Sequence, residues 1–326
     1  MVDFAYSREE WLNEVLELPN GIPSHDTFNR VLSMLDPKAL KECLDKEGKA
    51  LLGTISGKQL AIDGKKVKGV SPGSKGSKGL WILNAWVCEN RLCIGQRKVN
   101  NKSNEIRAIP KLLEELAIEG ALVSIDAIGC QQAIARQIMS QKGDYLLSVK
   151  NNQKDLLSQI KDSFSLHAKS LELEGRVDLS WEYQRGRYEE RSCQILPARQ
   201  MLLAETLEQW EGVKTLIKIE ASRRTKKKTS RETRYYISSV DGQPPKYFNR
   251  ATRGHWGIEN HLHWHLDVTF NEDGSRARKG FAPQNLSLLR KIALHRLSLM
   301  PDKRSIKRRR FVASLDNEYL IDLISW

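Results

Sequence analysis

No apolar run in this 326-residue chain approaches the roughly 20 residues needed to cross a bilayer, so no membrane span is expected. Met1 to Glu10 lack a basic segment followed by an apolar one, so no secretory leader is expected either. Cysteine is scarce. The five residues (Cys43, Cys88, Cys93, Cys130, Cys193) are scattered, odd in number and without a CxxC pair. That spacing speaks against a disulfide framework and a zinc ribbon, and it points to a reducing cytoplasm. No internal repeat or long low-complexity tract occurs, which excludes a repeat architecture.

Acids are also in deficit. Lys+Arg number 53 against 40 Asp+Glu, a net charge of +13. Such an excess favours a polyanionic partner: nucleic acid first, an anionic membrane second, a ribosome-like assembly third. The 40% hydrophobic and 29% charged content is ordinary for a globular protein, and the length allows one large domain or two ordinary ones.

Along the chain, Trp11 to Leu51 reads as helical. Ser24 or Asp26 can cap a helix bearing Phe28, Val31, Leu32 and Leu35 and ending near Pro37; a second helix has Leu40, Cys43 and Leu44 on one face. Ser24-His25-Asp26 suits a helix cap better than a catalytic triad, because adjacent residues rarely form a triad and no nucleophile turn is present. Gln59 to Gly64 is a short apolar run ending in an acid and a glycine, as a buried strand does. Ser71 to Gly79 is turn-rich and basic. Leu80–Cys88 and Leu92–Val99 read as an antiparallel pair about Glu89-Asn90-Arg91. Glu105–Ile118 is an amphipathic helix capped by Ser103 or Asn104, Ala121–Asp126 a buried strand, Gln131–Gln141 a helix and Tyr145–Val149 a strand. The order β-β-β-α-β-α-β predicts a mixed sheet. From 151 to 244 the pattern loosens into what reads as an insertion. It holds a helix (Lys154–Lys169) and β-like runs at Ser192–Leu196, Thr215–Ala221 and Thr233–Val240, with a basic hairpin at Arg223–Arg231. Helices are expected again over Pro245–Leu266 and Pro283–Leu299, followed by the charge run Lys303–Arg310 and a short last helix.

Two strands end alike: Ile62-Asp63-Gly64 and Ile125-Asp126-Ala127. In open α/β sheets sites gather at strand ends. Two unpaired carboxylates there repel and want a cation, and hard oxygen ligands suit Mg²⁺ or Mn²⁺. Each aspartate alone could equally cap a turn. A third acid, Glu259, lies in a segment crowded with Trp, His and acids, Arg253 to Phe270. On an α-helix Trp256, Glu259, His263 and Asp267 share roughly one face. His261 and His265, four apart, could form a zinc pair, but no HExxH occurs, and lining a cleft or binding phosphate is the better reading of these histidines. Trp256 and Trp264 read as core residues.

Several stretches carry a family resemblance: Gly21-Ile-Pro-Ser-His-Asp-Thr-Phe, Ala61-Ile-Asp-Gly-Lys, Lys102-Ser-Asn-Glu-Ile-Arg-Ala-Ile-Pro, Ser124-Ile-Asp-Ala-Ile-Gly-Cys-Gln, Asp144-Tyr-Leu-Leu-Ser-Val-Lys-Asn-Asn-Gln, Arg234-Tyr-Tyr-Ile-Ser-Ser, and His255-Trp-Gly-Ile-Glu-Asn-His-Leu-His-Trp-His-Leu-Asp-Val-Thr-Phe-Asn-Glu-Asp. In order and over almost the whole length, the chain resembles the insertion-sequence DDE transposases of the H-repeat-associated type. The resemblance implies an RNase H-like mixed sheet flanked by helices, with a β-rich insertion before the last catalytic helix. It divides the chain into a short helical N-terminal region (1–52), a catalytic domain (53–300, insertion 151–244) and a basic tail (301–326). It makes Asp63, Asp126 and Glu259 the metal-binding triad, Mg²⁺ (or Mn²⁺) the cofactor, and two-metal in-line displacement at phosphorus the chemistry. The implied partners are double-stranded DNA, as terminal inverted repeats and target, and a second copy in a homodimer at a bacterial nucleoid. Lys65, Lys66, Lys68, Lys150, Arg253 and His255 are the expected DNA contacts. Two departures stand out. Fewer residues precede Gly21-Ile-Pro than the family usually carries, and the related Tyr-Arg-Glu-Lys signature has His255 and Leu266 at its arginine and lysine positions. The rival readings are a non-transposing nuclease on the same fold and an inactive DNA-binding remnant.

Overall fold

The computed structural model describes residues 2–42, 54–70, 80–99, 105–168, 175–184, 186–225 and 228–325. Alternation along β1 (Gln59–Val67) determines its surroundings. Leu60 and Ile62 point into one apolar cluster and Ala61 into another, so the strand is covered on both faces. β2 (Leu80–Val87) pairs antiparallel with β1, and β3 (Leu92–Val99) antiparallel with β2. On its other side β1 pairs parallel with β4 (Leu122–Ile125), and β4 parallel with β5 (Asp144–Val149). Parallel neighbours need crossovers, and the helices Glu105–Glu114 and Gln132–Ser140 supply them. The mixed RNase H-like sheet expected from the sequence is thus the one observed.

The insertion does not stand apart from this sheet. It holds four strands, β6 (Val177–Gln184), β7 (Arg187–Pro197), β8 (Thr215–Arg224) and β9 (Thr229–Ser238). They form an antiparallel meander docked through β9 on β5, giving one nine-stranded sheet in the order β3-β2-β1-β4-β5-β9-β8-β7-β6. β6 was not foreseen, nor were the short helices Ala198–Met201 and Ala204–Gln209. The basic hairpin lies where expected, with Arg224 paired to Thr229.

Helices cover both faces. On one, Ile109, Leu112 and Leu113, Ile134 and Ile138, and Ile160 and Phe164 from helix Lys154–Leu166 close the larger core. On the other, Phe248 and Ala251 of helix Pro245–His255 meet Leu122, Leu146 and Ile217, while Ile258, Leu262 and Leu266 meet Ala61 and Trp86. The helix expected over Pro245–Leu266 is α-helical only to His255. Ile258–His263 and His265–Thr269 wind as π-helix, the wider i→i+5 coil often found at functional sites.

The chain's ends pack onto helix Ala282–Leu299. In the N-terminal region the helices are Val2–Tyr6, Glu9–Val15, His25–Met34 and residues 37–42, and Ser24 caps the third, accepting from Thr27 N. Asn285 is fully buried and donates to the carbonyls of Leu32 and Leu35 at 2.9 and 2.8 Å, closing the end of His25–Met34. The charge run Lys303–Arg310 is largely exposed, with one residue turned inward. Arg309 is buried, donating to Asp302 and to the Leu297 carbonyl, and Arg310 donates to the Thr269 carbonyl. Helices Ile306–Ala313 and Asn317–Ile324 complete that packing. Cys43, Leu44, the stretch 71–79 and the expected caps Ser103 and Asn104 lie outside the described residues.

Leu112 is fully buried between helix Glu105–Glu114 and β3, in van der Waals reach of Gly95. Leu112→Ala is expected to cost about 2–5 kcal/mol of unfolding free energy in a denaturant titration. A loss under about 1 kcal/mol would mean that this helix is not seated on the sheet as described.

Candidate active site

Ile62 of β1 faces Ile125 of β4 across a parallel pair, so Asp63 and Asp126 come next at the same level on neighbouring strands. Both follow the alternation away from the larger core, toward the face carrying helix Pro245–His255 and the π-helix. Asp126 does cap a turn: its Oδ1 accepts from Ile128 N at 3.1 Å. Its charge still acts on Asp63. The Asp63 carboxyl is pushed from 3.8 up to about 7, first by burial and then by Asp126, with smaller contributions from Glu105 and Glu259 and an opposing hydrogen bond from the Gly64 backbone. Glu259 is exposed on the π-helix and reaches the same acid. Glu259 is exposed where His263, four residues on in the same π-helical stretch, is buried.

Glu105 was not anticipated. It opens helix Glu105–Glu114, is 3% exposed, and lies against Gly64 so closely that a Cβ there would sit 2.3 Å from its Oε1. Gly64 is therefore a close-approach glycine. The sequence signal was available in the Ser-Asn-Glu-Ile stretch, but nothing local linked Glu105 to a strand some forty residues earlier.

Among the described residues, no three carboxylate, histidine or cysteine side chains are gathered into a ligand set for one metal ion. The acids are neighbours by charge. Their chemistry nonetheless fits a divalent cation: burial and the neighbouring acids disfavour the charged form of Asp63, and Mg²⁺ or Mn²⁺ would supply hard oxygen donors with the positive charge they lack.

His263 stands beside Asp63, with Nδ1 3.5 Å from Oδ2 and Nε2 3.4 Å from Asn84 Nδ2. Burial, reinforced by Lys65 and Lys291, lowers its pKa to about 3, so the ring is neutral. His255 turns inward to Ser124 Oγ at 3.2 Å, and burial lowers it to about 4 against the pull of Asp126. His265 bonds Thr269 Oγ1 at 2.9 Å. Trp264 is 52% exposed and so is not core, while Trp256 carries the Arg234 guanidinium over its ring at 4.2 Å.

Lys65 differs most from expectation. Instead of reaching outward, its ammonium is buried against Asp267 at 2.6 Å and Glu272 at 3.0 Å, with Asp273 at 3.7 Å. Burial alone would lower its pKa; Glu272 and Asp267 outweigh that and raise it. Lys68 pairs with Asp273 at 2.8 Å, and Arg253 with Glu182 at 2.6 Å. Of the six expected contacts, Lys66 and Lys150 present exposed side chains with no ion pair among the described residues. The cluster ties the strand of Asp63 to the segment that follows Glu259.

A mixed sheet with helices on both faces and acids at adjoining strand ends defines an RNase H-like domain. Residues 56–295 match the family described as Transposase DDE domain, and residues 1–46 match its associated region. The chain is 37% identical to "Putative transposase YncI" of Escherichia coli O157:H7, over 99% of this chain and 83% of that one. It is 35% identical to "H repeat-associated putative transposase YhhI" of Escherichia coli K12, over 99% and 86%. A protein encoded in the dhlA 3′ region of Xanthobacter autotrophicus is 40% identical over 75% of this chain and 81% of its own. The chain belongs to the DDE-domain transposase family, whose members act on DNA. No helix among the described residues is long and apolar enough to cross a membrane.

Two measurements probe the charges. Unfolded Asp63 ionises near 3.8 and the native residue near 7, so between these the native state binds more protons and stability falls as pH rises. In chelator, the urea midpoint is expected to drop over that interval, and Asp63→Asn to flatten the drop; an equal slope in both proteins would contradict the raised acid. Lys65→Met leaves Glu272, 1% exposed, beside a lost ammonium and is expected to cost about 3–5 kcal/mol of stability. A neutral result by denaturant titration would remove the buried cluster from the account.

Proposed function

We propose that the protein is a DNA transposase that cuts the strands at the ends of its own element and joins the freed 3′-hydroxyl to target DNA. The observation that carries the reading is the raised, crowded Asp63 beside Asp126 and Glu259 in a chain of the DDE family. Asp63, Asp126 and Glu259 would hold Mg²⁺, with Mn²⁺ as substitute. A divalent cation held by them would supply Lewis-acid polarisation of the scissile phosphate and of the attacking water or 3′-hydroxyl.

The chain's own groups set the stage. Asp63, whose carboxyl holds its proton up to about 7, would give it up in binding a cation. Neutral His263 adds no competing cation beside it. Lys65, neutralised by Asp267 and Glu272, holds β1 against the segment following Glu259 and lets the acids approach without itself occupying the crevice. In the first step a water oxygen bonds to phosphorus and the P–O3′ bond breaks, leaving a 3′-hydroxyl on the element and a 5′-phosphate on the flank. That 3′ oxygen then bonds to a target phosphorus, whose own P–O3′ bond breaks. Lys66 and Lys150 would neutralise flanking phosphates, and Arg253 would exchange Glu182 for phosphate.

The substrates would be double-stranded: terminal inverted repeats and target DNA, brought together by a homodimer at the bacterial nucleoid. Residues 1–52 would form a DNA-binding or associated helical region, 53–300 the catalytic domain interrupted by 151–244, and 301–326 the basic tail.

The test is strand cleavage of a duplex bearing the element's ends in Mg²⁺. Asp63→Asn or Glu259→Gln is expected to lower the rate by more than the roughly 10–100-fold typical of outer-shell partners, with DNA affinity nearly unchanged. Full Mg²⁺-dependent cleavage by Asp63→Asn would overturn the triad. Equal cutting of duplexes with and without the terminal repeats would make the protein a general nuclease.

A further inference from the structure

The sheet extension reaches past the strand it is docked on. β9 pairs with β5 from Tyr235 to Ser238, opposite Val149 back to Leu146. Thr229 to Arg234 therefore run on beyond Val149, the C-terminal end of β5. Because β1, β4 and β5 are parallel, that is the end of the sheet at which Asp63 and Asp126 lie. The register carries the overhang across the other strands: Ile219–Arg224 of β8, Arg187–Cys193 of β7 and the latter part of β6 all project with it.

The overhang's two faces differ. One is packed: Asn249 donates to Asp178 at 2.7 Å, Arg191 to Asn249 and Thr252 at 2.6 and 2.7 Å, and Arg253 to Glu182. The other is bare. Leu179, Trp181 and Tyr183 alternate along β6 at 55, 67 and 72% exposure, and Tyr188 lies opposite Tyr183. A row of free-standing aromatics on an edge strand is costly to leave in water and needs a cover. In the same rows of the ladder stand Arg224, opposite Tyr188, and Arg231, opposite Ser222. These two and Lys228 at the turn are exposed and make no ion pair among the described residues. The acids of this face are Glu190, exposed opposite Trp181, and Glu220, which is paired with Lys218 at 3.1 Å.

We propose that this bare face is a DNA-binding wing, with Arg224, Arg231 and Lys228 on phosphates and Trp181 and Tyr183 packed on the sugars; it continues the side of the sheet on which Val177 and Tyr235 meet the larger core, opposite the face of the acids, so it takes duplex outside the acidic group itself. The proposal rests on the DNA-processing reading of the acidic group and adds a second DNA surface, on the opposite face of the sheet. Charge complementarity selects the occupant. A second copy of the chain would bring the same uncompensated arginines to the contact, whereas a phosphate backbone supplies the missing anions at every nucleotide.

The experiment uses the full chain carrying Asp63→Asn, so that bound DNA is not consumed, and follows a labelled random-sequence duplex by fluorescence anisotropy across a salt series. Arg224→Gln/Arg231→Gln is expected to weaken binding about tenfold or more and to reduce the slope of log affinity on log salt by nearly 2, since each phosphate contact contributes roughly 0.9. Trp181→Ser/Tyr183→Ser is expected to weaken binding about threefold or more with the slope unchanged, because it removes no charge. Circular dichroism and the urea midpoint check that both double variants fold. Parent-like affinity and slope in both would overturn the wing while leaving the transposase reading intact. Parent-like binding together with a loss of self-association in the Trp181/Tyr183 variant, seen by sedimentation, would instead assign the face to a second copy. Failure of the Asp63→Asn parent to bind duplex DNA at all would overturn the underlying reading along with the wing.

Discussion

The buried ammonium of Lys65 is the contact on which the candidate site depends. It joins the first strand of the sheet to Glu272, 207 residues later, and to Asp267 within the π-helix. Without it buried Glu272 would face half-buried Asp267 uncompensated, and the strand of Asp63 would be joined to the helix of Glu259 chiefly by the apolar contacts of Ala61. The cluster also separates two electrostatic regions. On one side, acids are neutralised by lysine. On the other, acids crowd Asp63 and leave it wanting a cation. One alternation along β1, Asp63 then Lys65 on the same face, produces both.

Much of the sheet was legible because its central strands are buried on both faces and so read as short, mainly apolar runs: Leu60 to Ile62, Leu122 to Ile125, Tyr145 to Val149. β6 escaped notice for the opposite reason. Its apolar residues, Leu179, Trp181 and Tyr183, face solvent, so its pattern resembles no core strand. The aspartates were visible as strand ends followed by small residues, while Glu105 and the fate of Lys65 were not. Both are decided by partners that no local window contains. The π-helix was hidden as well, because spacing fixes which residues recur but not how wide the coil winds.

The same limit applied to the basic residues. A run of lysines after an acid reads as a phosphate-binding loop, yet two of the three are already paired with carboxylates, and Arg309 in the last charge run is buried. Basic character is better located by asking which cations lack carboxylate neighbours in the fold than by counting them in sequence.

The separation of Lys65 from its partners has a consequence in time. During synthesis the strand of Asp63 emerges early, but its tether arrives only with residues 267–273, and helix Ala282–Leu299, which closes over that segment, comes later still. Arg310, reaching back to the Thr269 carbonyl, is later again. The acidic group therefore cannot be set in its final order until almost the whole chain has left the ribosome. A message broken before its last stretch yields a chain whose acidic group lacks the late contacts that hold it in place.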